Sequence, residues 1–140
     1  MGVTDEGGIV FFRTEAQDEV IDFYTERLGA SVAVEQPDCT IIERAGFALG
    51  FCAREGAETG GTLTFVVPDR TAVDEAYEAL EDRARGTPEY SETYDIYQFF
   101  AEDPEGRTVE VQCFESRRSR SEPIPRRGSA SPRIAASVRG

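Results

Sequence analysis

The chain has 140 residues, which is enough for one domain, and its 39% of hydrophobic residues is typical of a globular rather than a disordered protein. It contains no histidine and no lysine, so all 15 basic residues are arginine. Residues 1–116 hold 8 arginines against 26 acidic residues, a net charge of −18, and a field of that sign repels nucleic acid and anionic membrane surfaces. We therefore expect neither as a partner.

The composition also bears on the habitat of the organism and on the cellular compartment. An acidic, lysine-free chain is typical of a halophilic organism, because dissolved salt screens the self-repulsion of the carboxylates; acidic drift in a GC-rich genome is the alternative. No apolar run is long enough to span a bilayer, and the N-terminus does not resemble a signal peptide. Three cysteines are an odd number, which argues against a disulfide framework and for a reducing compartment. We expect a soluble, cytoplasmic protein.

The first half of the chain is predicted to form a strand, a helix and three further strands. In chain order these are the strand Ile9–Phe12, the helix Glu15–Leu28, and the strands Ser31–Glu35, Cys39–Glu43 and Phe47–Ala53. Gly29 follows the helix, where glycine commonly ends one. Ala45 and Gly46 separate the last two strands and indicate a two-residue hairpin turn.

The second half repeats this order. A strand at Thr62–Val67 precedes a helix that Asp69 caps, with Val73, Tyr77, Leu80 and Ala84 on one face. The strands that follow are predicted near Thr87–Ser91, at Tyr94–Ala101 and at Arg107–Phe114, with a turn at Asp103–Gly106. The two opening strands lie 53 positions apart. A repeat of that length predicts an α+β fold of two tandem βαβββ modules.

The ends of the chain differ from this repeat. We predict an N-terminal extension at residues 1–7 and a paired domain at 8–116, with module one at about 8–55 and module two at about 61–116. Residues 117–140 are rich in arginine, serine and proline without periodicity, which predicts a disordered tail. The tail could serve as a basic arm for nucleic acid or for an acidic neighbouring body, but we favour an extension without a role.

Three segments carry a resemblance to a known family. They are Asp22–Gly29 (DFYTERLG), Thr62–Asp69 (TLTFVVPD) and Phe100–Glu110 (FAEDPEGRTVE). Together they resemble the vicinal oxygen chelate superfamily, which includes glyoxalase I, extradiol dioxygenases, fosfomycin-resistance enzymes and bleomycin-binding proteins. The likeness covers about residues 8–115 and implies a glyoxalase-like VOC domain, whose two modules form a cleft.

The resemblance also locates the positions where metal-dependent members of the family hold their ion. These positions are Ile9 and Gly50 in module one, and Thr62 and Glu110 in module two. Only glutamate among these residues can bind a metal, whereas a catalytic divalent site needs about three protein ligands. We therefore expect no metal and no cofactor, and we favour a non-enzymatic protein.

Strand alternation predicts which side chains face the cleft. The predicted ligand-binding residues are Phe11, Arg13, Cys39, Cys52, Thr62, Thr64, Glu110 and Gln112. Their mixture of apolar, hydroxyl and charged groups suits a mid-sized organic ligand. Half of the aromatic residues near the second hairpin are expected to add stacking surface, and half to face the core: Tyr94, Tyr97, Phe99 and Phe100.

Two of the three cysteines are predicted to lie opposite each other. If Ala45 and Gly46 form the turn, Arg44 pairs with Phe47 and the same register pairs Cys39 with Cys52. The pair could bind a soft metal or change redox state, but we favour two small apolar residues in the wall of the cleft. A disulfide across a regular hairpin is expected to be strained.

Three functions are compatible with these features. The favoured one is a metal-free module that binds or sequesters a small organic molecule. The alternatives are a metal-dependent lyase or dioxygenase with an atypical site, and a thiol-based redox or soft-metal module that uses Cys39 and Cys52. The family resemblance also leads us to expect a homodimer.

Overall fold

A computed structural model of the chain describes residues 7–116. The first half of the chain, which we call unit 1, holds β1 (Ile9–Thr14), α1 (Gln17–Asp22), a π-helical segment (Phe23–Arg27), β2 (Ser31–Glu35), β3 (Cys39–Arg44) and β4 (Phe47–Ala53). Unit 2 holds β5 (Thr62–Val66), α2 (Arg70–Leu80), a 3₁₀ turn (Glu81–Arg83), β6 (Glu89–Ser91), β7 (Ile96–Glu102) and β8 (Thr108–Phe114). The predictions for residues 1–6 and for the arginine-rich segment 117–140 lie outside the described residues.

The chain divides into two compact units. Of the described residues, unit 1 comprises 7–61 and 103–107, and unit 2 comprises 62–102 and 108–116. Each unit has a four-stranded sheet, ordered β1-β4-β3-β2 in unit 1 and β5-β8-β7-β6 in unit 2. In both sheets the first and last strands of the unit pair in parallel and the other pairs are antiparallel. The predicted α+β fold of two βαβββ modules is thus confirmed.

The helix of unit 1 covers one face of its sheet through aromatic side chains. Tyr24 stacks on Phe51 with ring centroids 5.4 Å apart, and Phe12 stacks on the same ring at 5.7 Å. Gln17 fixes the start of the helix, because its side-chain amide donates to the backbone oxygen of Phe51 over 2.8 Å. The predicted helix is one continuous element from Glu15. The structure instead has a short α-helix followed by the π-helical segment. The wider turn of that segment carries the buried side chains of Phe23 and Tyr24.

A buried arginine connects residues 103–107 to the rest of unit 1, which is distant from them in sequence. Arg107 is 0% exposed, and its guanidinium pairs with Asp103 at 3.1 Å and with Glu105 at 3.0 Å. It also donates to the backbone oxygens of Glu58 at 2.8 Å and Arg13 at 3.0 Å. Such a pair adds little net stability over apolar groups, but removing one partner leaves a buried charge without compensation. The turn at residues 103–107 is therefore fixed within unit 1.

The carboxylates around Arg107 have partners from the same unit. The Tyr24 hydroxyl donates to Asp103 over 2.8 Å, and burial, followed by the charge of Asp103, raises the pKa of this tyrosine. Burial alone would raise the pKa of Glu105, but hydrogen bonds from Thr14 and Arg107 outweigh it and lower that pKa. Tyr24 therefore keeps its proton and Glu105 stays ionised near neutral pH.

The core of unit 2 follows the predicted pattern except at Ala84, which was predicted on the helix face but lies beyond the end of α2 in a bridge with Ala101. Asp69 caps α2 by accepting a hydrogen bond from the Ala72 amide over 2.9 Å. Helix residues Val73 and Leu80 are buried, and the Tyr77 ring meets Phe99 edge-on at 5.4 Å. Beneath the helix, β8 contributes three buried side chains: Val109, Val111 and Cys113. Among residues 7–116, no helix has both the length and the apolar character needed to cross a bilayer.

Candidate functional site

One face of the unit 1 sheet carries all four predicted site residues of module one. Register pairs Phe11 with Gly50, and Arg13 with Cys52, which in turn pairs with Cys39. Because paired residues point to the same side, these side chains share a face opposite the aromatic core. We call it the Phe11 face; its members are Ile9, Phe11, Arg13, Cys39, Ile41, Gly50 and Cys52.

The Phe11 ring lies directly over Gly50. A side chain at Gly50 would overlap this ring, so the aromatic carbons occupy the space that a glutamate would need. Phe11 is nevertheless 50% exposed, and Ile9 on the same face is 44% exposed. The two positions that the family uses for metal ligands in module one thus present only apolar groups and backbone.

The hairpin register of the cysteines is confirmed, but their predicted chemical state is wrong. Ala45 and Gly46 have φ of 53° and 84°, as a two-residue type I′ turn requires, and Cys39 pairs with Cys52. The two sulfurs form a disulfide, with Cα atoms 3.9 Å apart. The register alone brings this pair together, so the odd cysteine count was not evidence against a bond between its two members.

The third cysteine is chemically separate from the pair. Cys113 is a free thiol buried in the core of unit 2, against the helix side of its sheet. Burial, followed by a hydrogen bond to Glu115, raises the pKa of Cys113 to about 11. This thiol is therefore protonated near neutral pH and a poor nucleophile.

Charged side chains surround the disulfide at one end of the Phe11 face. Asp38 Oδ1 lies 3.6 Å from the Cys39 sulfur, and Arg54 pairs with the other oxygen of Asp38 at 2.8 Å. The hydrogen bond from Arg54 lowers the pKa of Asp38, which is therefore ionised at neutral pH. Arg13 donates to the Gly56 backbone oxygen over 2.9 Å and pairs with Glu58 at 3.4 Å. All four charged side chains remain about half exposed.

The equivalent face of unit 2 carries the other four predicted residues. Register pairs Thr62 with Thr108, Thr64 with Glu110, and Val66 with Gln112. We call it the Glu110 face; its members are Thr62, Thr64, Val66, Gln98, Phe100, Thr108, Glu110 and Gln112. Glu110 is 1% exposed and accepts a hydrogen bond from the Thr64 hydroxyl over 2.7 Å. Unlike the Phe11 face, this one presents hydroxyl, amide and carboxylate groups.

The aromatic residues of β7 divide between the two sides of its sheet. Phe100 pairs with Glu110 and is half-buried on that face, whereas Phe99 is buried against the helix with Tyr77. Tyr97 also lies on the helix side, where its hydroxyl donates to Asp74 over 2.7 Å. Phe100 is therefore the β7 aromatic available to the Glu110 face. The prediction that some aromatic residues near the second hairpin face the core is confirmed by Phe99.

The residues at the four family positions do not fit a catalytic divalent ion. Within residues 7–116, no three side chains of histidine, cysteine, aspartate or glutamate lie close enough together to hold a metal. Glu110 is a ligand-type residue but serves as acceptor for Thr64, while Gly50 lies beneath an aromatic ring. A divalent site needs about three such ligands, so the residues at these four positions do not fit one.

A small open pocket in unit 2 was not predicted from the sequence. It has a volume of about 120 Å³ and is lined by Arg85, Gly86, Thr87, Glu89, Gln98, Phe99 and Phe100. It lies where residues 86–88 connect the bridge between Ala84 and Ala101 to the start of β6, which pairs with β7. Gly86 and Pro88, which disfavour regular structure, were the available signal. At about 30 Å³ per water, the pocket is too small for a mid-sized organic molecule.

Comparison with protein families identifies the class of the chain. The model of the Glyoxalase/Bleomycin resistance protein/Dioxygenase superfamily matches residues 8–111. The chain belongs to this superfamily, and the resemblance drawn from the three sequence segments is confirmed. A comparison with curated proteins found no match.

Solved structures with the same fold come from several bacteria. A glyoxalase/bleomycin resistance protein/dioxygenase family enzyme from Burkholderia phytofirmans PsJN is 19% identical, with a TM-score of 0.67 over 79% of this chain and 98% of that one. Lactoylglutathione lyase from Agrobacterium tumefaciens is 21% identical, with a TM-score of 0.63 over 76% of this chain and 92% of that one. The oxidase ChaP-H2 is 18% identical, with a TM-score of 0.65 over 81% and 94%. Identities this low show the fold alone.

Proposed function

We propose that the chain is a metal-free module that binds a small organic molecule on the Phe11 face of unit 1. The observation that carries this proposal is the position of the Phe11 ring, which fills the space over Gly50 and leaves half of its own surface exposed. An aromatic surface at this position favours stacking with an organic ligand.

The exposed groups of this face can contribute apolar contact energy and polar contacts to binding. A phenylalanine side chain has an accessible surface of roughly 200 Å², so covering its exposed half would remove about 100 Å² from water. At about 25 cal/mol per Å², this gives about 2.5 kcal/mol from one residue, to which Ile9 adds. Arg13 and Asp38, half exposed at the same end of the face, can orient a polar substituent of the ligand.

Glu110 supports a binding role better than a catalytic one. A general base must reach the proton that it abstracts, either directly or through one water. Glu110 is almost fully buried and accepts a hydrogen bond from Thr64, and the chain contains no histidine to work with it. On the face of unit 2, Thr64, Glu110 and Gln112 provide hydrogen-bonding groups rather than a nucleophile.

The test is a binding screen on the full chain in the presence of a chelator. Native mass spectrometry with a library of small aromatic and heteroaromatic compounds should show adducts of one compound per chain. The dissociation constant of each hit is then measured for wild type, Phe11→Ala and Val10→Ala. Val10 is the matched control, because it is also 50% exposed but lies on the opposite side of β1.

The proposal predicts a clear difference between the two variants. Phe11→Ala should weaken binding at least tenfold, because about 2.5 kcal/mol of apolar contact is lost. Val10→Ala should leave the dissociation constant within about twofold of wild type. Equal effects of the two substitutions, or adducts that form only when a divalent metal is added, would contradict the proposal.

A further inference from the structure

The disulfide between Cys39 and Cys52 is not needed to define the hairpin that carries it. β3 and β4 already pair continuously from Cys39–Cys52 to Arg44–Phe47, and the turn at Ala45 and Gly46 sets their register. The bond closes a sequence separation of only 13 residues inside that ladder. Its position on the Phe11 face, beside charged and exposed groups, is better explained by chemistry than by hairpin geometry.

We propose that Cys39 and Cys52 form a thiol–disulfide exchange site that reacts with low-molecular-weight thiols in the native state. A lone buried cysteine such as Cys113 cannot cycle in this way, whereas two cysteines held in register can open and re-form their bond. This reaction does not require an organic ligand to be bound, and it adds thiol–disulfide chemistry to the Phe11 face.

The surroundings of the pair allow a small thiol to reach it without unfolding. The two cysteines are 6% and 5% exposed, and Ile41 beside them on the same face is also buried, but the charged side chains at that end of the face are not. Asp38, Arg54 and Arg13 are each about half exposed. Surface side chains change rotamer in picoseconds to nanoseconds, so their movement is enough to admit a small molecule.

The charge of Asp38 distinguishes the two sulfurs. Its Oδ1 lies 3.6 Å from the Cys39 sulfur, and a carboxylate at that distance disfavours a thiolate on Cys39. Cys52 is therefore the better leaving group, and the incoming nucleophile attacks Cys39.

The reaction balances with two equivalents of a monothiol. In the first step the thiolate RS⁻ attacks the Cys39 sulfur, the protein S–S bond breaks, and Cys52 leaves as a thiolate. In the second step another RS⁻ attacks the sulfur of R in the mixed disulfide, which releases RSSR and the Cys39 thiolate. Both cysteines then take up protons, so the protein disulfide is reduced and the monothiol is oxidised.

The experiment follows the reduction of the full native chain by 2-mercaptoethanol. Cys113→Ala leaves only the pair to be followed, and wild type with Cys113 quantified separately serves if that variant does not fold. Samples are quenched with acid, alkylated and mapped by mass spectrometry, while the rate of global unfolding is measured separately by circular dichroism. We expect the rate of reduction to rise linearly with thiol concentration and to exceed the unfolding rate at least tenfold.

The mixed disulfide tests the direction of attack. We expect 2-mercaptoethanol to be trapped on Cys39 at least five times as often as on Cys52, and we expect Asp38→Asn to reduce that ratio to about two or less. Asp38→Asn keeps the shape of the side chain and removes its charge, with Glu58→Gln as a matched control that should leave the ratio unchanged. A reduction rate that is independent of thiol concentration and equal to the unfolding rate would overturn the proposal, as would trapping mainly on Cys52.

Discussion

The two units share a topology but differ in the face that each sheet turns away from its helix. In unit 1 the Phe11 face carries an exposed aromatic ring, a glycine beneath it and a disulfide. In unit 2 the equivalent positions carry threonine, glutamate and glutamine, with Thr64 donating to Glu110. The helix sides, by contrast, carry the buried apolar core of each unit.

This difference shows where the fold constrains the sequence and where it does not. The helix side must bury apolar surface to hold each βαβββ module together, so its pattern is repeated in both units. The opposite face is free to change because the backbone pairing does not depend on its side chains. A divalent site needs about three protein ligands, and the two positions that the family resemblance assigns to ligands in unit 1, Ile9 and Gly50, offer no ligand side chain.

The largest predicted effect concerns the buried arginine of unit 1. Arg107→Ala leaves the carboxylate of Asp103 buried without its charged partner, and we expect the free energy of unfolding to fall by about 3–5 kcal/mol. Urea denaturation followed by circular dichroism measures this change.

An arginine of unit 2 provides the comparison. Arg85 pairs with Glu102 at 2.9 Å, but both side chains are about half exposed, so Arg85→Ala should cost about 1 kcal/mol or less. Similar losses for the two variants would mean that burial does not distinguish these ion pairs.

The next effect tests the contact between Phe11 and Gly50. Gly50→Ala places a Cβ into the Phe11 ring, and we expect it to destabilise the chain by about 1–3 kcal/mol through overpacking. Gly8→Ala is the control, since a Cβ at Gly8 meets nothing within 4 Å.

A double-mutant cycle sharpens this prediction. In a Phe11→Ala background, Gly50→Ala should cost about 1 kcal/mol less than in wild type, because the ring that it meets is gone. Thermal and urea denaturation of the four variants give the coupling. Additive effects would show that Phe11 does not occupy the space over Gly50.

A smaller effect is expected on the Glu110 face. Thr64→Val removes the hydroxyl that donates to Glu110 over 2.7 Å, and we expect a loss of about 1 kcal/mol. Thr62→Val on the same face of the same strand is exposed and should change stability by less than about 0.5 kcal/mol. If the two substitutions cost the same, the hydrogen bond to Glu110 is not a specific contribution.

The smallest effect concerns alkaline pH. Burial raises the pKa of Cys113 from 9.0 to about 11, so the folded state holds its proton in a range where the unfolded state releases it. The stability that this adds is complete below pH 9 and is lost as the pH rises towards 11. Cys113→Ala should therefore lose less stability than wild type between pH 8 and about pH 11, as measured by urea midpoints; parallel curves would rule out this role of Cys113.

Much of the fold could be predicted from the sequence because each module repeats local signals. The turn at Ala45 and Gly46 set the hairpin register, and with it the pairing of Cys39 and Cys52. Asp69 and the apolar residues that follow it predicted α2 and its buried face.

The site was less predictable because side-chain packing decides it. The face of each predicted site residue followed from strand alternation, but the position of the Phe11 ring over Gly50 depends on a rotamer that no sequence pattern specifies. The disulfide was missed for a different reason: the register of Cys39 and Cys52 was predicted, but the odd cysteine count and the strain expected across a regular hairpin argued against a bond. The burial of Arg107 was missed because charged residues near turns are usually exposed.

The most direct test of the difference between the two units is metal binding by the oxidised full-length chain. The chain is dialysed separately against Mn²⁺, Fe²⁺, Ni²⁺ and Zn²⁺, and the bound ion is quantified by inductively coupled plasma mass spectrometry, with Glu110→Gln in parallel. We predict well below one ion per chain for every metal, and no difference between wild type and Glu110→Gln. One tightly bound ion per chain that is lost in Glu110→Gln would contradict a metal-free module.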